Sequence, residues 1–217
     1  ADPEGKGRPG HGFVRNRPWN VVATQATANG DIIVTLGLMD TPETQSVWPY
    51  SFLLNQEIVI SDSLNLSLIT RNTGNEKFSI TQAFHTYFKI GHIAQVKVLG
   101  LEGCEYTDKA GGGSTQKQQS GAVIIESEVD RIYLDVNKPL TIDDNALNRR
   151  IQITSQGSKT AVVWNPWEKI AKDMADLEDE DYKRLLCVET TNAVDDVVEV
   201  APGGECRLVA NYRVMRG

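Results

Sequence analysis

Alternation of apolar and polar residues with a period of two dominates this chain. It is clearest at 57–61 and 64–70, where apolar side chains fall on one face of each segment and polar side chains on the other. The short polar segment 61–63 between them suits a hairpin turn. Further strands are predicted where apolar and β-branched residues cluster, at 32–38, 77–81, 94–99, 122–126, 131–135, 150–154 and 160–164.

The last part of the chain predicts a closing hairpin, in which 197–200 and 206–212 pair across the turn at 202–204. Segment 169–177 predicts a short helical turn, and the Gly- and Gln-rich segment 110–119 predicts a mobile loop. The spacing of turns predicts a single all-β domain over 1–217, built as an antiparallel sandwich.

Composition and charge exclude several classes of function. A net charge of -7 and a pI of about 5.0 argue against binding to nucleic acid or to an anionic membrane, which needs a basic face. No apolar run has the length of a membrane span. The three cysteines are too widely spaced for a disulfide framework or a zinc ribbon, so we expect buried thiols in a reducing compartment. No nucleotide or metal motif is present, which predicts no cofactor and no metal.

Two side chains are candidates for proton transfer. His85 follows an apolar strand and has aromatic neighbours, and partial burial of its imidazole would suit a general acid near neutral pH. The alternative is a core histidine satisfied by one hydrogen bond. Glu189 follows the apolar run 185–188, where a partly dry site would favour a general base. The alternative is a carboxylate at a strand end that points to water.

Four further residues are candidates for ligand binding. Arg15, with His11 close by, suits a phosphate through two parallel hydrogen bonds, although an ordinary surface arginine is the alternative. Trp164 could stack on a sugar face, or could pack at the rim of the core. Asp130 could bind a ligand or form a surface ion pair with its neighbour Arg131.

The order of these motifs resembles the hexose-6-phosphate mutarotases, or glucose-6-phosphate 1-epimerases, of the aldose 1-epimerase superfamily. The resemblance rests on His-Gly-Phe-x-Arg-Asn at 11–16, Phe-His-Thr-Tyr-Phe at 84–88, Asp-Arg-Ile-Tyr at 130–133, Val-Val-Trp-Asn-Pro-Trp at 162–167, Asp-Met-Ala-Asp at 173–176 and Cys-Val-Glu at 187–189. It covers the chain from about His11 to the last strand.

The resemblance implies a galactose mutarotase-like antiparallel β-supersandwich and an isomerase that interconverts the α and β anomers of a hexose 6-phosphate. It implies that His85 protonates the ring oxygen and that Glu189 removes the proton of the anomeric hydroxyl. Arg15 would bind the 6-phosphate with His11 beside it, and Asp130 would hold sugar hydroxyls. Trp164 would belong to the same sugar site. The implied partner is a small sugar phosphate in the cytoplasm, and the oligomeric state is left open.

The chain departs from the family pattern in three places. Relatives begin well upstream of the first motif, so we expect the N-terminal strands and a further phosphate-site arginine to be missing, with the segment before His11 being part of a loop. Gly10 stands where relatives often have Gln, and Thr190 follows Glu189 where Pro is common. Two other hypotheses remain open at this point: a non-catalytic sugar-phosphate-binding homologue, and a structural sandwich whose motif residues only pack.

Overall fold

The computed structural model describes residues 10–216, so the expected loop at 1–9 lies outside the described residues. The described part contains two α-helices, α1 (Pro42–Val47) and α2 (Trp167–Asp173), and five short 3-10 helices at Val14–Asn16, Ile93–Gln95, Ala110–Gly112, Asn145–Leu147 and Asp181–Lys183. Its strands are β1 (Asn20–Ala26), β2 (Ile32–Met39), β3 (Phe52–Ile60), β4 (Leu64–Asn72), β5 (Phe78–Ile80), β6 (Gln82–Phe84), β7 (Tyr87–Lys89), β8 (Val96–Leu99), β9 (Glu105–Asp108), β10 (Thr115–Gln118), β11 (Val123–Ile124), β12 (Val129–Tyr133), β13 (Leu140–Asp144), β14 (Arg149–Gln156), β15 (Thr160–Asn165), β16 (Leu185–Asn192), β17 (Val198–Val200) and β18 (Glu205–Arg216).

The strands form two large antiparallel sheets and one small one. The nine-stranded sheet has the order β1-β2-β3-β4-β18-β14-β13-β8-β11. The second sheet has seven strands in the order β10-β9-β12-β15-β16-β6, with β7 also paired to β16. Strands β17 and β5 pair separately. The predicted all-β antiparallel fold is confirmed.

The main core lies between the two large sheets. Val98, Ile142 and Leu208 of the nine-stranded sheet meet Val163 and Leu186 of the seven-stranded sheet in one apolar cluster, and all five have 0% exposure. Burying a side chain of this size stabilises the fold by about 1.5–3 kcal/mol. Because strand side chains alternate, the core-facing residues of β16 leave the intervening ones on the opposite, outer face of the sheet.

A second apolar cluster holds the first described segment of the chain. Phe52 and Phe78 are its buried centre, and Phe13 and Trp19 pack against it. The Trp19 indole Nε1 donates a hydrogen bond to the Val14 carbonyl oxygen at 3.1 Å, which ties the 3-10 helix to the start of β1. This cluster therefore positions the segment that carries His11 and Arg15.

Two local predictions are wrong. The closing hairpin does not form, because β17 pairs with β5 and β18 pairs instead with β4 and β14. The expected mobile loop at 110–119 contains a 3-10 helix and β10, which pairs with β9. Its polar side chains fit an exposed edge strand. The helical turn expected at 169–177 is present as α2, shifted toward the N-terminus.

The side chain of Asn72 explains why β17 joins β5. It is 1% exposed, and its Nδ2 donates to the carbonyl oxygens of Glu76 at 2.8 Å and Val200 at 2.9 Å. Its Oδ1 accepts a hydrogen bond from the Gly74 backbone N–H at 3.0 Å. One amide thus binds the turn after β4 to the end of β17.

We expect Asn72→Ala to lower the free energy of unfolding by about 2–4 kcal/mol, because the buried Val200 carbonyl and two partly buried backbone groups lose their partner. Urea denaturation measures this change. Asn65→Ala is the matched control, since Asn65 is half-buried on the same strand, and it should cost about 1 kcal/mol or less. Equal losses from the two variants would contradict the role given to Asn72.

Candidate active site

His85 and Glu189 lie in direct contact on the outer face of the seven-stranded sheet. The distance from His85 Nε2 to Glu189 Oε1 is 3.3 Å, and the side chains are 29% and 6% exposed. Glu189 is not at a strand end as the sequence indicated, because β16 continues to Asn192 and all eight of its residues are buried. A carboxyl group and an imidazole at this distance can exchange a proton.

Strand pairing explains how residues so far apart in sequence meet. Phe84 of β6 pairs with Thr190, and Tyr87 of β7 pairs with Cys187. The register is the same on both sides of the break between β6 and β7, so His85 lies opposite Glu189. Side chains opposite each other on one face of a sheet are close neighbours.

Thr86 holds the segment between β6 and β7 from the core side of the sheet. Its Oγ1 and the Tyr212 hydroxyl are 2.7 Å apart, and Tyr212 belongs to the main core. Since Thr86 is bonded toward the core, the neighbouring His85 is directed to the outer face. The sandwich interior therefore sets the position of the imidazole.

Burial shifts both pKa values toward the uncharged forms. It raises the pKa of Glu189 to about 8, and the nearby carboxyl group of Asp130 adds to this rise. Burial also lowers the pKa of His85, as do the neighbouring His11 and Arg15. At neutral pH these two shifts favour a protonated carboxyl in contact with a neutral imidazole over an ion pair. Transfer of that one proton to His85 creates an imidazolium acid beside a carboxylate base.

His11 and Arg15, the two residues that the sequence analysis assigned to a phosphate, lie near this pair. The His11 and His85 rings are 5.4 Å apart. His11 has a φ of +64° and the next residue, Gly12, has a φ of +74°, so the chain makes a left-handed turn that brings His11 to the site. Burial lowers the pKa of His11, and Arg15 lowers it further. Arg15 is exposed and forms no ion pair with any carboxylate of residues 10–216.

Asp130 and Trp164 lie on the same outer face. They are paired across β12 and β15, and Trp164 is paired in turn with Cys187 of β16. The Trp164 ring is 6.0 Å from the His85 ring. Burial raises the pKa of Asp130, whose charge also interacts with His11. The structure thus brings Asp130 and Trp164 to the sheet face of His85 and Glu189, and His11 and Arg15 lie beside that face.

Two residues of this face were missed. Tyr87 stacks on His85 with ring centroids 4.9 Å apart and an interplanar angle of 16°, and burial raises its pKa to about 12. Cys187 is completely buried between its strand neighbours Tyr87 and Trp164. Both lie two positions from a residue that was selected, so the period of two could have found them.

Other candidate features lie elsewhere. Trp167 packs against the core and its ring is 5.2 Å from that of Tyr182, so it is a packing residue. A cavity of about 410 Å³ between β13, β14 and β15 contains Lys138 and Lys159. None of the six selected residues lines that cavity.

The raised pKa of Glu189 predicts that this side chain destabilises the fold as the pH rises. The folded state binds the proton more tightly than the unfolded state, so the contribution to stability present below about pH 4.5 is lost as the pH passes through 8. Glu189→Gln keeps the shape and removes the charge. We expect the variant to match wild type near pH 4.5 and to be more stable at pH 8 by about 4 kcal/mol.

Urea denaturation at the two pH values measures this difference. Glu105→Gln is the control, since Glu105 is exposed on β9, and it should show no such pH-dependent gain. A Glu189→Gln variant that is less stable than wild type at pH 8 would contradict the assignment of a buried, protonated carboxyl group.

Comparison with known proteins identifies the family. The aldose 1-epimerase family model matches residues 2–213. The chain is 38% identical over 205 residues to a protein of Cenchrus ciliaris named "Putative glucose-6-phosphate 1-epimerase", covering 91% of this chain and 62% of that protein. An Escherichia coli K12 protein of the same name is 34% identical over 211 residues, covering 97% and 69%. The chain thus spans less than two thirds of the first relative's length.

Solved structures agree with this comparison. A crystal structure titled as that of a "putative mutarotase" from Salmonella typhimurium superposes with a TM-score of 0.90 at 29% identity, covering 100% of this chain and 70% of that one. The chain belongs to the aldose 1-epimerase family.

Proposed function

We propose that this chain catalyses the interconversion of the α and β anomers of a hexose 6-phosphate by acid–base opening and closure of the sugar ring. The observation that carries the proposal is the contact of His85 Nε2 with Glu189 Oε1 at 3.3 Å on one sheet face. Glucose 6-phosphate is the expected substrate, as in the names of the two curated relatives. No helix in the described part of the chain is long and apolar enough to cross a membrane, and the cytoplasmic location stays a prediction.

The adjacency of the two groups suits the geometry of a hemiacetal. The ring oxygen and the anomeric hydroxyl are bonded to the same carbon, so one edge of the sugar can face both side chains. His85 Nε2–H would donate its proton to the ring oxygen while Glu189 removes the proton of the hydroxyl. The ring opens to the aldehyde, the C1–C2 bond rotates, and the reverse transfers close the ring as the other anomer.

The proton inventory of the site agrees with this cycle. Ring opening moves one proton onto the sugar and one proton off it, so the pair begins and ends with the same total charge. Only the proton's position changes, from His85 to Glu189. A buried site tolerates such a cycle because no net charge enters it.

The phosphate would bind at Arg15. This guanidinium is exposed, lacks a carboxylate partner within residues 10–216, and lies close enough to the site to lower the pKa of His85. A planar guanidinium can bind two phosphate oxygens at once. The His11 ring lies 5.4 Å from that of His85, and Arg15 is near enough to lower the pKa of His11. Asp130 and Trp164 remain for the sugar hydroxyls and the sugar face.

The first test measures mutarotation directly. We expect wild type to accelerate anomer exchange of glucose 6-phosphate in saturation-transfer NMR, and His85→Ala and Glu189→Gln each to lower kcat about 10²–10⁴-fold. His92→Ala is the control, because His92 is exposed and caps the 3-10 helix at Ile93–Gln95, and it should retain the wild-type rate.

Folding of each variant is checked by circular dichroism, and binding of glucose 6-phosphate is measured by calorimetry. A folded wild type that binds the sugar phosphate without accelerating exchange would replace the enzyme with a sugar-phosphate-binding protein. Retained turnover in Glu189→Gln would exclude Glu189 as the base.

The second test addresses the phosphate. We expect Arg15→Ala to raise KM for glucose 6-phosphate about 10–100-fold and to have a small effect on kcat, because the phosphate loses a charge-assisted hydrogen bond. The rate with glucose, which has no phosphate, should not change. Arg17→Ala is the matched control, since Arg17 lies near Glu43. Equal effects of Arg15→Ala on the two sugars would contradict a phosphate role.

A further inference from the structure

Three different metal-ligating groups converge on the floor of the site. One donor atom each from His85, Cys187 and Glu189 lie within 4.8 Å of one another, and no other group of three His, Cys, Asp or Glu in residues 10–216 converges in this way. The thiol and the carboxyl group are buried: the exposed fraction of the residue is 0% for Cys187 and 6% for Glu189. The proposed proton-transfer mechanism uses His85 and Glu189 and assigns no role to the Cys187 thiol.

We propose that His85, Cys187 and Glu189 bind one Zn²⁺ ion, and that this ion inhibits the chain by occupying its acid and base. The metal-binding part stands on geometry alone, whereas the inhibitory part rests on the proposed mutarotase function.

The distances suit a tetrahedral ion after a small closure. Zn²⁺ bonds of about 2.0–2.3 Å to nitrogen, oxygen and sulfur require donor atoms about 3.3–3.8 Å apart. His85 Nε2 and Glu189 Oε1 already meet this spacing at 3.3 Å. The third donor must move by about 1 Å, which side-chain rotation can supply. The fourth position would be taken by water, since the His85 side chain is 29% exposed.

The donor set selects the class of ion. An imidazole, a thiolate and one carboxylate favour Zn²⁺, while Mg²⁺ and Ca²⁺ prefer sites made only of oxygen. Metal binding would release the proton of the Cys187 thiol and the proton of the Glu189 carboxyl, and the two anionic ligands so formed would neutralise the charge of the divalent ion. Asp130 lies near enough to Glu189 to add a favourable charge. Arg15 and His11 are the nearby groups that would oppose it.

The surroundings indicate an inhibitory site rather than a resident cofactor. A histidine that holds a structural or catalytic metal almost always donates its second ring nitrogen to a partner. Within residues 10–216, His85 Nδ1 is buried without a hydrogen-bond partner. The ion would also use the lone pairs that the acid and base need for proton transfer. Metal binding and turnover therefore exclude each other.

The test begins with binding, which does not require activity. The whole chain is titrated with Co²⁺ alone, whose bond to a thiolate gives a charge-transfer band in the near ultraviolet, and Zn²⁺ should remove the band. Cys187→Ser should abolish it. His85→Ala should weaken Co²⁺ and Zn²⁺ binding about tenfold or more. Because this variant keeps the buried thiol, it tests the site even if Cys187→Ser folds poorly. Cys104→Ser and Cys206→Ser are matched controls that should retain the band, since both of these free thiols lie outside the cluster.

The second arm measures anomer exchange at increasing Zn²⁺, with each variant compared with its own rate in chelator. Wild type should lose activity and recover it with chelator, and Cys187→Ser should need about tenfold more Zn²⁺ for the same fractional loss. No band in wild type, or a band that persists in Cys187→Ser, would overturn the metal site. Binding without inhibition would overturn the inhibitory role. If the chain binds metal but does not accelerate anomer exchange in the presence of chelator, the mutarotase function is contradicted and the metal site is still supported.

Discussion

The burial of one carboxyl group against one imidazole is the constraint on which this structure depends. Glu189 lies in the middle of a strand whose other face packs in the core, so the protein cannot move it toward water without disturbing the sandwich. Its charge is costly there, and keeping the proton on the carboxyl group avoids that cost. In the proposed mechanism the charged arrangement is needed only when sugar oxygens replace the contact with His85.

The position of His85 depends on the same strand. Its flanking strands β6 and β7 both pair with β16, and the threonine between them is bonded to Tyr212 on β18. The two sheets of the sandwich thus hold the imidazole from both sides. A substitution in the core beneath β16 would disturb the distance between acid and base before it unfolded the chain.

Period-two alternation was sufficient to predict the class of fold and most of the long strands, because one face of each strand is buried. It could not predict which strands pair. β17 leaves β18 for β5 because Asn72, more than one hundred residues away, binds its last carbonyl. Likewise the motifs selected six residues that the structure places on or beside one sheet face, yet the contact of His85 with Glu189 follows from strand register. Pairing across long sequence separations carries no local signal.

The positions of His11 and Arg15 depend on the first described segment of the chain rather than on the seven-stranded sheet. His11 reaches the site through a left-handed turn, and the following 3-10 helix is held by Phe13 and Trp19 against the second apolar cluster. Arg15, on this 3-10 helix, is exposed and forms no ion pair with a carboxylate of residues 10–216. The phosphate binding proposed for Arg15 and the proton transfer proposed for His85 and Glu189 therefore depend on two separate apolar clusters. Because the proposed acid–base pair is built on the sheet and the arginine on a short helix, we expect loss of the second cluster to impair the proposed phosphate binding and to leave the pair in place.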